Sequence, residues 1–210
     1  MRLKIKICGL KYPDNILGIT ALRPDYIGFI CYPESKRFIG QLDEELIRNL
    51  DLVKKTGVFV NAEVDEMIEL VNRYHFDALQ LHGDETTEIC AAIRQRKPEL
   101  EIIKAFGIGL DVNWSSVEAY DPFVDYYLFD TASHQYGGTG EKFDWNLLKN
   151  YKGSKLFFLS GGINPENILD ASQLEDPRLF ALDLNSKFEI APGLKDVALL
   201  KKTLEKISNE

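Results

Sequence analysis

Four side chains able to move protons or hold charge stand where predicted strands end: Cys8, His82, Asp130 and Asp183. A thiol, an imidazole and two carboxyls gathered at one site can pass protons to and from a bound molecule, the work of general acids and bases. Each residue also has a plainer reading. Free cysteines are among the most buried residues, so Cys8 also fits a small core filler. His82 also fits a hydrogen-bonded loop residue, and Asp130 and Asp183 fit helix or turn caps. Glycines add a second chemistry. Ser160-Gly161-Gly162 follows a predicted strand, and the backbone N–H groups of such a loop can cradle a phosphate, although a glycine pair also simply makes a turn. Arg37, in Ser35-Lys36-Arg37, reads on its own as a solvated surface charge.

The elements that must position these groups begin with Leu3-Lys4-Ile5-Lys6-Ile7-Cys8. Its period of two predicts a strand with Leu3, Ile5 and Ile7 on one face and Lys4, Lys6 and Cys8 on the other. Gly9 ends it, leaving Cys8 at the carboxyl end of the polar face. Further strands are expected over Tyr26–Ile30, Thr56–Val60, Ala78–His82, Ile102–Phe106, Asp125–Asp130, Lys155–Leu159 and Phe180–Leu184. Between them lie helical stretches, the clearest having Val64, Met67, Ile68, Val71 and Tyr74 on one face. Asp84 is expected to cap the helix that runs to Arg96, and Asn164-Pro165 to open the helix after the seventh strand. No two strands lie close enough for a hairpin, so parallel strands with helical crossovers follow. Eight such units predict one (β/α)₈ barrel domain spanning residues 1–210. A doubly wound open sheet is the alternative. In a barrel the functional site lies at the carboxyl ends of the strands, where all of the candidate groups fall.

Composition excludes several classes. The chain of 210 residues carries a formal net charge of −8, which disfavours nonspecific binding to nucleic acid or an anionic membrane. No uncharged apolar run approaches the roughly 20 residues of a membrane-spanning helix, and the first residues do not read as a secretory leader. Cys8, Cys31 and Cys90 are an odd set without a CxxC pair, which fits a reduced, cytoplasmic protein. Of the three histidines only His82 ends a strand, and no HxH or HxxxH spacing supports a metal site. Gly137-Gly138-Thr139-Gly140-Glu141-Lys142 lacks the P-loop spacing, and Gly107-Ile108-Gly109 does not continue as a dinucleotide fingerprint. The first of these is expected to form a mobile covering loop.

Blocks along almost the whole chain resemble the phosphoribosylanthranilate isomerases of tryptophan biosynthesis. They are Lys6-Ile7-Cys8-Gly9, Tyr32-Pro33-Glu34-Ser35-Lys36-Arg37, Gly57-Val58-Phe59-Val60-Asn61 and Leu79-Gln80-Leu81-His82-Gly83. Leu128-Phe129-Asp130-Thr131, Gly137-Gly138-Thr139-Gly140, Phe143-Asp144-Trp145 and Leu159-Ser160-Gly161-Gly162 with Asn164-Pro165-Glu166-Asn167 continue the series. The resemblance implies a (β/α)₈ barrel and an Amadori rearrangement of N-(5-phosphoribosyl)anthranilate, with neither metal nor organic cofactor. It implies Asp130 as general acid, Cys8 as general base and Arg37 as partner of the anthranilate carboxylate. Ser160, Gly161 and Gly162 would hold the phosphate, with Asn185 and Ser186 also binding substrate, and His82 and Asp183 would line the pocket. Lys6, one pleat from Cys8 on the same face, is expected to favour the thiolate. The partner implied is a phosphorylated small molecule, with the chain itself a monomer or homodimer.

One stretch departs from the family pattern. Where that pattern reads Asp-Val-Ser-Ser-Gly-Val-Glu, this chain has Asp183-Leu184-Asn185-Ser186-Lys187-Phe188-Glu189. A lysine in the glycine position either supplies a charge to the phosphate or faces solvent. Two other functions are weighed: the related aminoaldose–aminoketose isomerase of histidine biosynthesis, which uses two aspartates, and a non-catalytic barrel that binds phosphorylated metabolites.

Overall fold

The computed structural model describes residues 2–132 and 144–208. The glycine-rich stretch from Tyr136 to Lys142, read as a covering loop, lies outside the described residues. Eight parallel strands close into a barrel in sequence order: β1 (Lys4–Cys8), β2 (Tyr26–Ile30), β3 (Lys54–Phe59), β4 (Ala78–Leu81), β5 (Glu101–Ile108), β6 (Tyr126–Thr131), β7 (Phe157–Leu159) and β8 (Leu179–Leu184). Closure comes from β1 pairing with both β2 and β8, with Cys8 opposite Gly28 and Lys6 opposite Asp183. The helices are α1 (Pro13–Thr20), α2 (Glu44–Arg48), α3 (Val64–Tyr74), α4 (Thr87–Arg96), α5 (Trp114–Glu118), α6 (Ile168–Ser172) and α7 (Val197–Ser208), and a 3₁₀ turn at Trp145–Asn150 serves the sixth unit. Among the described residues no helix is long and apolar enough to cross a membrane.

Strand alternation sorts side chains between two environments. Ile5 and Ile7 of β1 belong to the apolar layer between strands and helices, while Lys6 reaches across the barrel interior to β4 and β8. On α3 the residues Met67, Ile68, Val71 and Tyr74 are buried, as their spacing predicts. Inside the barrel, a second apolar cluster that includes Tyr26, Ile103, Leu128, Phe158 and Phe180 fills the amino-terminal half. Its rings pack closely; Tyr126 stacks on Phe180 at 4.4 Å between centroids and Tyr26 meets Phe158 edge-on at 5.4 Å. The interior is therefore plugged below, and polar side chains occupy its upper layer.

Three local expectations are corrected. Asp84 does not cap α4, whose N-cap is Thr86. The next residue, Glu85, is drawn inward to accept from the Asn61 and Gly83 amides and from Lys104 Nζ, so the chain turns helical only afterwards. Asn164 likewise forms a turn, its Oδ1 accepting from the Glu166 and Asn167 amides, and α6 starts at Ile168. A hairpin is present after all: β9 (Glu189–Ala191) pairs antiparallel with β10 (Leu194–Lys195) through a turn in which Gly193 has φ +85°. Strands of three and two residues are too short to leave a periodic signal.

Candidate active site

A cleft opens at the carboxyl ends of the strands, the face on which parallel barrels place their sites. All ten candidate residues from the sequence line it. Cys8 comes from the end of β1, His82 follows β4, Asp130 is in β6, Ser160, Gly161 and Gly162 follow β7, and Asp183 is in β8 with Asn185 and Ser186 just beyond. Arg37 reaches the cleft from the loop after β2, so it is not a detached surface charge.

Two glycines allow close approach. Gly28 faces Cys8, where an added Cβ would lie 2.7 Å from Sγ. Gly161 has φ +85°, and a Cβ there would lie 2.8 Å from Asp130 Oδ1 and still nearer Thr131 Oγ1. Only glycine can bring this loop so close to the acid.

The charges form two groups. In the first, Lys6 is fully buried and donates to Asp183 Oδ2 and Gln80 Oε1, both at 2.8 Å. Burial alone would lower the Lys6 ammonium, but Asp183 and Cys8 outweigh it and hold it above its ordinary value. Burial pushes the Cys8 thiol upward; Lys6 and Lys195 pull the other way without offsetting it. Lys6 thus favours the thiolate, as expected, through its charge and a hydrogen bond with Cys8, but desolvation outweighs that pull and decides the state of the thiol. Asp183 is itself pushed up by burial against the pull of Lys6. Its Oδ1 is buried without a partner among the described residues, an acceptor left for whatever fills the cleft. Asp130 Oδ1 accepts from the Thr131 amide at 2.8 Å, while its Oδ2 lies 3.5 Å from His82 Nε2.

The second group sits at the rim. Glu189 receives Arg37 through Nε at 2.9 Å and Nη2 at 2.7 Å, and Lys195 Nζ at 2.7 Å. Burial would raise the Glu189 carboxyl, yet the Arg37, Lys195 and Gly193 donors hold it below the usual range. Arg37 is thus aimed by a carboxylate that its own sequence neighbourhood does not contain. Lys195 also donates to Asn185 Oδ1 at 2.7 Å, fixing the loop after β8. Lys187 is exposed and does not line the cleft. It lies in a 3₁₀ turn, Ser186–Phe188, without positive φ, so the backbone there does not require the family's glycine. Sequence reading missed Gln80, Glu189 and Lys195 as part of the site: Lys6 and Arg37, which engage Gln80 and Glu189, lie 74 and 152 residues away, and Lys195 belongs to a two-residue strand with no periodic signal.

Fold and cleft together define the class: a (β/α)₈ barrel built around a small-molecule site at the carboxyl ends of its strands. The chain belongs to the N-(5'-phosphoribosyl)anthranilate (PRA) isomerase family, whose model matches residues 5–206. It is 44% identical over 206 residues to the N-(5'-phosphoribosyl)anthranilate isomerase of Parabacteroides distasonis, covering 97% of this chain and 92% of the relative. The crystal structure of phosphoribosyl anthranilate isomerase from Thermotoga maritima matches with a TM-score of 0.85 at 33% identity, over 100% of each chain. A further phosphoribosyl anthranilate isomerase, solved in complex with reduced 1-(o-carboxyphenylamino)-1-deoxyribulose 5-phosphate, matches with a TM-score of 0.81 at 31% identity, again over 100% of each.

Proposed function

We propose that this chain is an isomerase of tryptophan biosynthesis that converts N-(5-phosphoribosyl)anthranilate to 1-(2-carboxyphenylamino)-1-deoxyribulose 5-phosphate, working in the cytoplasm without metal or organic cofactor. The observation that carries the reading is the placing of Cys8 and Asp130 on nearly opposite walls of one cleft, at β1 and β6. Asp130 gives a proton to the ribose ring oxygen as the C1–O bond breaks and the anilino nitrogen forms a protonated Schiff base. Cys8, as thiolate, then takes the proton from C2, and the electron pair left behind makes an enolamine. Tautomerisation of the enolamine yields the aminoketose. Acid and base must act on neighbouring atoms of one sugar, which is why they face each other rather than stand side by side.

The phosphate is held at the loops after β7 and β8 by the backbone around Ser160-Gly161-Gly162 and Asn185-Ser186, the usual phosphate end of such barrels. Asp183 Oδ1 accepts a hydrogen bond from the substrate. Arg37, held through Nε and Nη2 by Glu189, turns its remaining Nη1 toward the anthranilate carboxylate. Cys8 in the β1 position favours this reaction over the two-aspartate isomerisation of histidine biosynthesis. Turnover of N-(5-phosphoribosyl)anthranilate by the purified chain is the direct test, and a folded chain that binds this substrate without converting it would make the barrel a binding protein. Arg37→Ala is expected to raise KM about tenfold or more with a smaller change in kcat, since a charged hydrogen bond is worth roughly 1.5–3 kcal/mol. An unchanged KM would return Arg37 to a structural role beside Glu189.

A further inference from the structure

The buried Lys6 is costly to keep, because an ammonium taken out of water loses several kcal/mol of hydration. Its partners show what it organises. Lysine only donates hydrogen bonds, so the Gln80 atom 2.8 Å from Nζ is the carbonyl oxygen. The orientation of the amide is thereby fixed, and its NH₂ group points the other way, to His82 Nδ1 at 2.7 Å. An NH₂ group can only donate, so Nδ1 must accept, and the single proton of the neutral imidazole resides on Nε2. Nε2 is the atom that faces Asp130 Oδ2, at 3.5 Å, a separation that can tighten when substrate closes the site. The chain of partners runs Asp183, Lys6, Gln80, His82, Asp130, crossing β8, β1, β4 and β6.

We propose that Lys6 and Gln80 are positioning residues that set the tautomer of His82, so that its Nε2–H supports the carboxylate left on Asp130 after the acid has given up its proton. The inference rests on the reading of Asp130 as general acid. With Nε2–H facing Asp130, the charge that appears on Oδ2 meets a hydrogen-bond donor already in place. With the other tautomer, a lone pair on Nε2 would face that charge and oppose the transfer. Gln80 is 1% exposed and Lys6 0%, so water does not compete for these contacts, and the direction of each hydrogen bond is set by its neighbour.

The test is ¹⁵N–¹H correlation spectroscopy of the histidine-labelled chain, with the His82 signals identified by their loss in His82→Gln, joined to steady-state kinetics. The parent chain should show His82 protonated at Nε2 and bare at Nδ1; the reverse would overturn the proposal without any variant. Gln80→Glu puts a carboxylate, which only accepts, against Nδ1, and should move the proton to Nδ1. It should lower kcat by about tenfold to a hundredfold with KM nearly unchanged, part of the loss expected for a general acid. Gln80→Met, which commands neither tautomer, should give a mixture and an intermediate kcat. A proton that stays on Nε2 in Gln80→Glu, or one that moves while kcat does not, defeats the inference. Full activity in Asp130→Asn alongside a tautomer switch in Gln80→Glu would instead remove the acid from the mechanism and leave the control of His82 standing.

Discussion

Cys8→Ser is expected to lower kcat by about 10²–10⁴, the usual loss when a general base is removed. Serine keeps the volume and the place at the end of β1, but its hydroxyl does not ionise in the working range, so the C2 proton has no acceptor. The environment of Cys8 adds a second signature. Burial holds the thiol above its ordinary value against the pull of Lys6 and Lys195, so at neutral pH the free site holds mostly thiol. The thiolate fraction of the free site grows as pH rises, by up to about tenfold per pH unit below the thiol's own value, while the acid Asp130 must keep its proton, so the two requirements oppose each other in the pH dependence of kcat/KM. The high proton affinity that makes the thiolate scarce also makes it a stronger base once formed. Near-parental turnover in Cys8→Ser would falsify the role assigned to the thiol.

Asp130→Asn should be comparably severe, with kcat down by about 10²–10⁴ and KM moved far less. The amide keeps the shape of the carboxyl and an oxygen to accept from the Thr131 amide, as Asp130 Oδ1 does at 2.8 Å. What it lacks is an acidic proton for the ring oxygen. The loss should therefore fall on the chemical step, and a substrate already in the open-chain form should recover part of it. Opening of the ring is the only step that uses this proton. If the variant turns over near the parental rate, the ring opens without an acid at this position and Asp130 becomes a binding group.

The periodic parts of the chain were legible in advance. Alternation in β1 sends Lys6 and Cys8 inward and Ile5 and Ile7 toward the helices, and the α3 stripe buries the residues it should. Strand ends then located the cleft, because parallel barrels expose those ends on one face. Local chemistry was less reliable wherever a distant partner decided it. Asp84 reads as a cap, but Glu85 beside it is buried against Lys104 and delays the helix. Lys6 reads correctly as a companion of Cys8, but nothing nearby in sequence announces its other partners, Gln80 and Asp183, 74 and 177 residues away. Arg37 looked like a surface charge because Glu189 is 152 residues further on.

The bond from Lys6 to Asp183 also bears on how the chain becomes active. It joins the first strand of the barrel to the last across 177 residues, among the most distant pairings the chain makes. Contacts of such long range carry a larger loop-closure entropy than nearer ones. Until β8 docks beside β1, Lys6 has no carboxylate to balance it, and Asp183 and the loop after β8 are missing from the cleft. Catalytic competence therefore requires the two ends of the chain to meet, and a refolding chain is expected to recover activity no earlier than β8 docks beside β1.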